Sequence, residues 1–417
     1  MSIFVHEQKM SCAPVSGRYG FIAMALVLVV GMAGTTLPTP LYPLYQQRLG
    51  LTPLMVAVVF ATYAFAVIAT LITTGPWSDQ IGRRRILAAG CMAAAASSLL
   101  FLVNGGIGTL LVARALSGAS AGLLTATATI TIVELAPTEQ KTQAAVLAAI
   151  ANMGGLGIGS LLAGTISEYL PWPLHLVYAV HLALLVAAGI VVWRSPETIA
   201  RPVHPHLHRQ RLGLPSGVDA IFIPSAIACF AGFALLGLLT SLEPAILGEI
   251  IGISNRASVG ALVFLVFTTS LAGQLLQRRL GAAARLPVAC AVLAFGAAIF
   301  AGSMLDGSLS LLILGALVSG LGQGGVFAAS IVALTAASPV DQKAEITSLL
   351  FVIIYLAVAI PVLGLGGAIA LIGLRNAGVT FALLVTLLSI AALGVLWRYR
   401  TRSHKTSTVR PLHCWRS

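Results

Sequence analysis

The sequence predicts an all-α polytopic membrane protein, with twelve transmembrane helices in two pseudo-symmetric six-helix bundles, on three observations. Of its 417 residues 58% are hydrophobic and only 9% charged, with a mean hydropathy of +0.98, whereas soluble domains are about 45–50% apolar. The chain divides into stretches of about 20 mainly apolar residues, the length a helix needs to cross ~30 Å of hydrocarbon. Two of its segments recur at a single offset of 202 residues.

Span 1 is predicted over 20–42. The 19 residues before it, MSIFVHEQKMSCAPVSGRY, are polar and contain Pro14. The apolar run that follows continues for about 20 residues instead of the 7–15 of a signal peptide, so span 1 reads as a retained anchor. Spans 2 to 6 are predicted over 53–75, 86–104, 107–134, 143–167 and 172–193. Spans 7 to 12 follow over 219–246, 257–277, 286–304, 308–334, 346–373 and 377–397. The polar stretch RSPETIARPVHPHLHRQRLGLPSG separates spans 6 and 7. The expected domains are an N-terminal bundle, 1–193, a cytoplasmic linker, 194–218, and a C-terminal bundle with a basic cytoplasmic tail, 219–417.

The repeat supports this division. APTEQKTQAAV (136–146) precedes span 5 and SPVDQKAEITS (338–348) precedes span 11, with Pro137/Pro339, Glu139/Asp341, Gln140/Gln342 and Lys141/Lys343 in register. The same offset matches Ser117 with Ser319, Gly118 with Gly320 and Gly122 with Gly324. Six spans repeated in parallel imply halves related by an axis along the membrane normal, an arrangement that alternates access to a midplane site. Transport of a small molecule is therefore the leading expectation.

The net charge of +12 needs no nucleic-acid partner, because its placement explains it. With the N-terminus inside, Lys9, Arg18, Arg83, Arg84, Arg85, Lys141, Arg194, Arg201, Arg209, Arg211, Arg278, Arg279, Arg285, Lys343 and the tail from Arg398 to Arg416 are cytoplasmic, and only Arg48, Arg256 and Arg375 lie outside. This bias orients both termini to the cytoplasm. Cys12, Cys91, Cys229, Cys290 and Cys414 show no paired spacing and are expected as free thiols. His204, His206 and His208 read as a solvated linker rather than a metal tract; neither a metal nor a cofactor is expected.

The loop between spans 2 and 3, GPWSDQIGRRRIL (75–87), concentrates charge that the rest of the chain avoids. Its glycines permit a tight turn, and a carboxylate at a helix end can cap the positive N-terminus of a neighbouring helix. Together with the twelve spans and the duplicated halves, this loop makes the chain resemble the major facilitator superfamily over nearly its whole length. The family signature there, G-x-L-A-D-R-x-G-R-K-x-x-L, is matched by Gly75, Asp79, Gly82, Arg83, Arg84 and Leu87, while Trp77, Ser78 and Gln80 depart from it. Loss of the usual arginine at 80 leaves its salt-bridge role absent or shared by Arg85. The resemblance implies that Asp79 latches the halves together, against span 11, in the outward-open state, and that Arg83 binds Glu134. The other reading is that the arginines only set topology. The corresponding loop between spans 8 and 9, GQLLQRRLGAAAR, has Gln277 where an acid is expected, and reads as a degenerate copy.

Arg114 falls within span 4, where a guanidinium requires a polar cavity or a partner. With Gly118 four residues on, it resembles the family's span-4 motif, whose arginine takes part in proton transfer in proton-coupled members; snorkelling to the outer interface is the alternative. Glu243, before Pro244, lies near the outer end of span 7, where proline predicts a broken helix facing a cavity, as at the end of span 1. There it would bind a proton or a cationic substrate, or sit in interfacial water, and Glu249 reads as exposed. Span 5 resembles the family's antiporter signature through Gly155, Gly159 and Gly164, with Ser160 for the proline and Ala163 for a glycine. These glycines, with Gly118, Gly122, Gly320 and Gly324, are expected to pack helices. Asn152 and Gln323 are the expected pocket amides. Tyr63, Phe65, Phe264, Phe267, Phe327, Phe351 and Tyr355 are candidate pocket aromatics that each read equally as helix packing.

A proton-coupled exporter of small amphipathic molecules is the main functional expectation, working as a monomer in the bilayer of a bacterial inner membrane. The sequence has no Walker motif for ATP. Uptake of a sugar or organic acid by proton symport is the alternative. A polytopic membrane enzyme is a remote one, because the short outer loops offer only isolated groups such as Glu168 and Asp306.

Overall fold

The computed structural model describes residues 20–103, 105–200, 202, 207, 209–214 and 217–407; His204, His206, His208, Cys12 and Cys414 fall outside them. The main helices are α1 Gly20–Thr36, α2 Pro53–Thr74, α3 Arg83–Val103, α4 Ile107–Leu135, α5 Lys141–Tyr169 and α6 Pro173–Arg194. After the linker come α7 Asp219–Ser241, α8 Arg256–Leu276, α9 Ala282–Asp306 and α10 Leu309–Ala337. A continuous helix, Lys343–Ser407, is bent at Gly373, where φ 78 and ψ 162 leave helical geometry. The bend divides it into α11, 343–372, and α12, 374–407. Eleven helical segments among the described residues are therefore long and apolar enough to cross a membrane, the last, Val340–Arg398, holding two spans. Spans of 21 to 29 residues rise about 31–44 Å at ~1.5 Å per residue, enough to cross the bilayer with some tilt.

Starts and stops are written locally. The side chains of Thr52, Asn255 and Ser308 accept from the backbone N–H of Met55, Ser258 and Leu311, capping α2, α8 and α10. Pro53 and Pro173 occupy first-turn positions where no N–H is required. Two helices break early, as their prolines predict. α1 stops at Thr36 and gives way to a 3-10 turn Thr39–Leu41 and a short helix Tyr42–Leu49. α7 stops at Ser241, followed by a single turn Glu243–Ala245 and a π-helix Ile246–Ile251. The predicted span over 219–246 is thus shorter as a regular helix, because Pro244 cannot continue it.

Each half has its own apolar core: one is built from α7 to α12, and two from α1 to α6 with a few α11 side chains. The halves meet where α5 packs on α8 and α2 on α11. The end of the molecule that carries Glu197 and the 75–82 loop is the linker end, and the opposite end the far end. Cys91, Cys229 and Cys290 are free and buried.

Candidate functional site

The charged loop folds into a cluster at the linker end. Gly82 has φ 104 and ψ 146, a conformation that only glycine adopts without strain. It turns the chain from the short helix Trp77–Ile81 into α3. Arg83, 5% exposed, donates to Ser78 Oγ at 2.6 Å and to the Glu134 carboxylate at 3.2 and 3.4 Å, and pairs with Asp79 at 2.5 Å. Glu134 thus receives Arg83 from the linker end of α4, as the resemblance implies. Asp79 faces its own loop through Arg83 and is half exposed. Arg84 takes no part in these hydrogen bonds.

Sequence reasoning missed three members of this cluster. Glu197 Oε1 accepts from the Arg83 backbone N–H at 2.8 Å, capping α3, and Thr198 Oγ donates to Glu134 at 2.5 Å. Ser78, a departure from the family signature, is an acceptor for Arg83. The signal in the sequence was the acid in SPET directly after span 6, an isolated carboxylate in a basic linker.

Between the halves lies a cavity of about 300 Å³. The broken ends of α1 and α7 supply its far wall, with Thr35, Thr36, Thr39 and Thr240. Thr129 and Ala145 line it near the linker-end termini of α4 and α5. At the far end the halves are pinned: Glu168 Oε2 accepts from the Arg256 backbone at 3.0 Å and from its Nε at 2.9 Å. The lining thus runs from the broken ends of α1 and α7 toward the linker end, and the Glu168–Arg256 pair joins the halves at the far end.

Arg114 lines this cavity and is 1% exposed, so it does not snorkel. Its Nη1 donates to the Thr35 carbonyl at 2.8 Å, and its guanidinium carbon lies 4.8 Å from the Tyr63 ring centre and 5.7 Å from that of Phe60. Nε has no partner. Asn152, Gln323 and Tyr355 also line the cavity, with Gln323 Oε1 accepting from Ser270 Oγ at 2.6 Å. Phe233, Phe327 and Phe351 form an edge-to-face series on its C-terminal wall. Of the expected aromatics, Tyr63, Phe267, Phe327, Phe351 and Tyr355 are present, and Phe60 and Phe233 join them. Two others are corrected: Phe65 is 43% exposed on the outer face of α2, and Phe264 packs against Gly157 of α5.

The glycines permit this arrangement. A methyl group at Gly118 would strike the Tyr63 carbonyl, one at Gly122 would lie 2.9 Å from Thr70 Cβ, and those at Gly320 and Gly324 would strike Thr269 and the Ser270 carbonyl. Thus α4 lies on α2 as α10 lies on α8. Gly155 and Gly159 bring α5 onto Val29 and Ala33 of α1, and Gly164 brings it onto the Arg256 carbonyl. A methyl group added at Gly75 would lie 2.7 Å from the Leu71 carbonyl.

Glu243 is 1% exposed and neither carboxylate oxygen has a hydrogen-bond partner. It lies neither on the cavity wall nor in interfacial water, which corrects both the cavity-facing expectation and the solvent-exposed alternative; Glu249 is exposed. Gln277 is buried in the degenerate loop, its amide donating to the Gln274 carbonyl. His181 of α6 was not anticipated. Its Nε2 lies 3.0 Å from the Val30 carbonyl and its Nδ1 2.8 Å from Ser98 Oγ. A carbonyl only accepts, so Nε2 carries a hydrogen and the ring bridges α1 and α3.

The family model "Major Facilitator Superfamily" matches residues 24–360. Among curated proteins the chain is 25% identical over 181 residues to the "Putative multidrug resistance protein MdtD" of Escherichia coli, covering 43% of this chain and 38% of that protein, with the same values for the Shigella boydii protein. The chain thus spans well under half the length of these relatives. Among solved structures it superposes on a bacterial homologue of the human lysosomal transporter Spinster, inward-facing and unoccupied, with a TM-score of 0.70 and 16% identity over 91% of this chain and 98% of that one. For the human organic anion transporter MFSD10 the TM-score is 0.64 and the identity 18%, over 91% and 99%. At these identities the likeness shows the fold.

Proposed function

The chain belongs to the Major Facilitator Superfamily, a multi-pass membrane transporter rather than an enzyme, and from that premise we propose that it exports small amphipathic molecules in exchange for protons by alternating access. The single observation that carries the reading is the cavity between the halves, lined by Arg114, with the Glu168–Arg256 pair joining the halves at the far end. With the basic loops inside, the linker end is cytoplasmic, both termini are cytoplasmic, and the conformation is open inward in a bacterial inner membrane. The monomer holds the whole cavity and is the working unit.

Within this reading the 75–87 loop is the opposing latch. Arg83 holds Asp79, Ser78 and Glu134 together, and Asp79 engages span 11 when the linker end closes. Glu243 carries the coupling proton: burying an unpartnered carboxylate charge costs several kcal/mol, which protonation removes. Opening the far end wets the carboxyl and releases the proton outward or accepts one from there. Arg114 poises that exchange from the cavity.

The test is accumulation of matched cationic, neutral and anionic fluorescent aromatics in efflux-deficient bacteria expressing the protein or Asp79→Asn, with and without a protonophore. Lowered accumulation of at least one probe, lost with the gradient and in the variant, is the expected result. Transport that runs only inward in oriented vesicles sinks export and leaves uptake by symport.

A further inference from the structure

We propose that the cavity selects amphipathic organic anions, with the Arg114 guanidinium reading a carboxylate or sulfonate and the aromatic wall holding an apolar body. The inference rests on the transporter reading and names its substrate class. Among the described residues lining the cavity, Arg114 is the one charged side chain; no aspartate or glutamate is present. A cationic ligand entering here meets a fixed positive charge with no counter-ion among the lining side chains, between protein walls that screen it less than bulk water. An anion meets the reverse.

The unmade hydrogen bonds point the same way. Two cavity-lining polar atoms are buried without partners, Arg114 Nε and Gln274 Nε2. Both are N–H donors, and buried donors without acceptors are rare in folded proteins. What the site lacks is therefore acceptors, at two levels: Arg114 lies eight residues into α4 from the far end and Gln274 near the linker end of α8. Thr35 occupies one edge of the guanidinium and the Tyr63 and Phe60 rings flank its carbon. Nε has no acceptor of its own, and a carboxylate drawn against the guanidinium from the cavity would supply one through the charge-assisted bond that arginine makes strongly. Phe233, Phe327 and Phe351 on the opposite half then take a planar hydrocarbon.

Three probes with one aromatic body test the assignment on the purified full-length protein in detergent: 2-naphthoate, 2-naphthylmethanol and 2-naphthylmethylammonium, each titrated by the shift in thermal unfolding. Wild type should bind the naphthoate at least about tenfold more tightly than the ammonium. Arg114→Gln should remove that preference while keeping the alcohol, and Arg114→Lys should retain part of it. Gln323→Glu, which places a carboxylate in the same cavity and leaves Arg114 intact, should weaken the naphthoate about tenfold and admit the ammonium. Equal or tighter binding of the ammonium by wild type overturns the proposal, as does an unchanged preference in both Arg114→Gln and Gln323→Glu. If the alcohol alone binds, the anion assignment falls and the cavity stands; if no probe binds, the cavity as a ligand site falls with it.

Discussion

Glu243 and Gly82 show two ways in which one residue departs from the rules of an ordinary core. Glu243 is buried with both oxygens unpartnered, so a neutral isostere loses nothing that the folded state uses. Glu243→Gln is expected to unfold within about 1 kcal/mol of wild type, because the amide keeps the shape and the unmet polar atoms of a protonated carboxyl, while gradient-driven transport is abolished and substrate exchange persists. Thermal unfolding beside counterflow measurements separates the two, and a variant that still responds to the gradient removes Glu243 from proton coupling. Gly82 at φ 104 is the opposite case: Gly82→Ala places a β-carbon in strained backbone and should lower stability by about 1–3 kcal/mol, read by the same unfolding assay. Gly82, Asp79 and Arg83 were legible as glycines and charges concentrated in one loop, and the pairing of Arg83 with Glu134 only through the resemblance to the major facilitator superfamily. Glu197 and Thr198 were not legible, since a pairing across 114 residues depends on where the linker leaves α6. Burial of Glu243 was equally hidden, as a hydropathy window gives depth in the chain and not the face a side chain takes.

At the level of elements, the contact between α5 and α8 closes the far end, and it is made of backbone against backbone. Gly164 sits on the Arg256 carbonyl, and Gly260 lies 2.5 Å, measured from an added methyl, from the Ser160 carbonyl. The Glu168–Arg256 pair seals this seam. A partly exposed pair of this kind contributes about 0.2–1 kcal/mol, enough to shift a two-state equilibrium up to about fivefold. Ala145 is exposed at the linker-end mouth of the cavity, so Ala145→Cys reports its opening. In inside-out vesicles, Glu168→Gln should lower the rate at which an impermeant maleimide labels that cysteine, and Gly164→Leu should lower it further. Labelling unaffected by both substitutions would mean that the α5–α8 seam does not hold this conformation. Glycine spacing made these seams readable, because small residues at helical intervals have one common use in a membrane. The π-helix Ile246–Ile251 was not readable from hydropathy, whereas the bend at Gly373 was, since the predicted spans 346–373 and 377–397 part there around Arg375.

For the whole molecule, the 202-residue repeat gives two halves of like topology that differ in where charge is kept. The N-terminal half holds the Asp79–Arg83–Glu134 cluster and Arg114, while the C-terminal half has Gln277 in its degenerate loop, Ala316 at the repeat position of Arg114, and its buried acid at Glu243. If Arg114 reads the substrate charge and Glu243 carries the proton, as proposed, the two are bound in different halves without competing for one group. That separation has an electrical consequence if the cargo is an anion. One monoanion leaving for each proton entering moves two charge equivalents in the same direction across the membrane, and each is worth about 2.3 kcal/mol per 100 mV. Export from proteoliposomes oriented with the linker end inside should therefore accelerate when a potassium gradient and valinomycin impose an inside-negative potential at fixed pH on both sides. A monocation exchanged for a proton moves no net charge, and its export would ignore that potential. Naphthoate export that is indifferent to the imposed potential would leave anion binding intact and exclude one-for-one exchange with protons as its driving cycle.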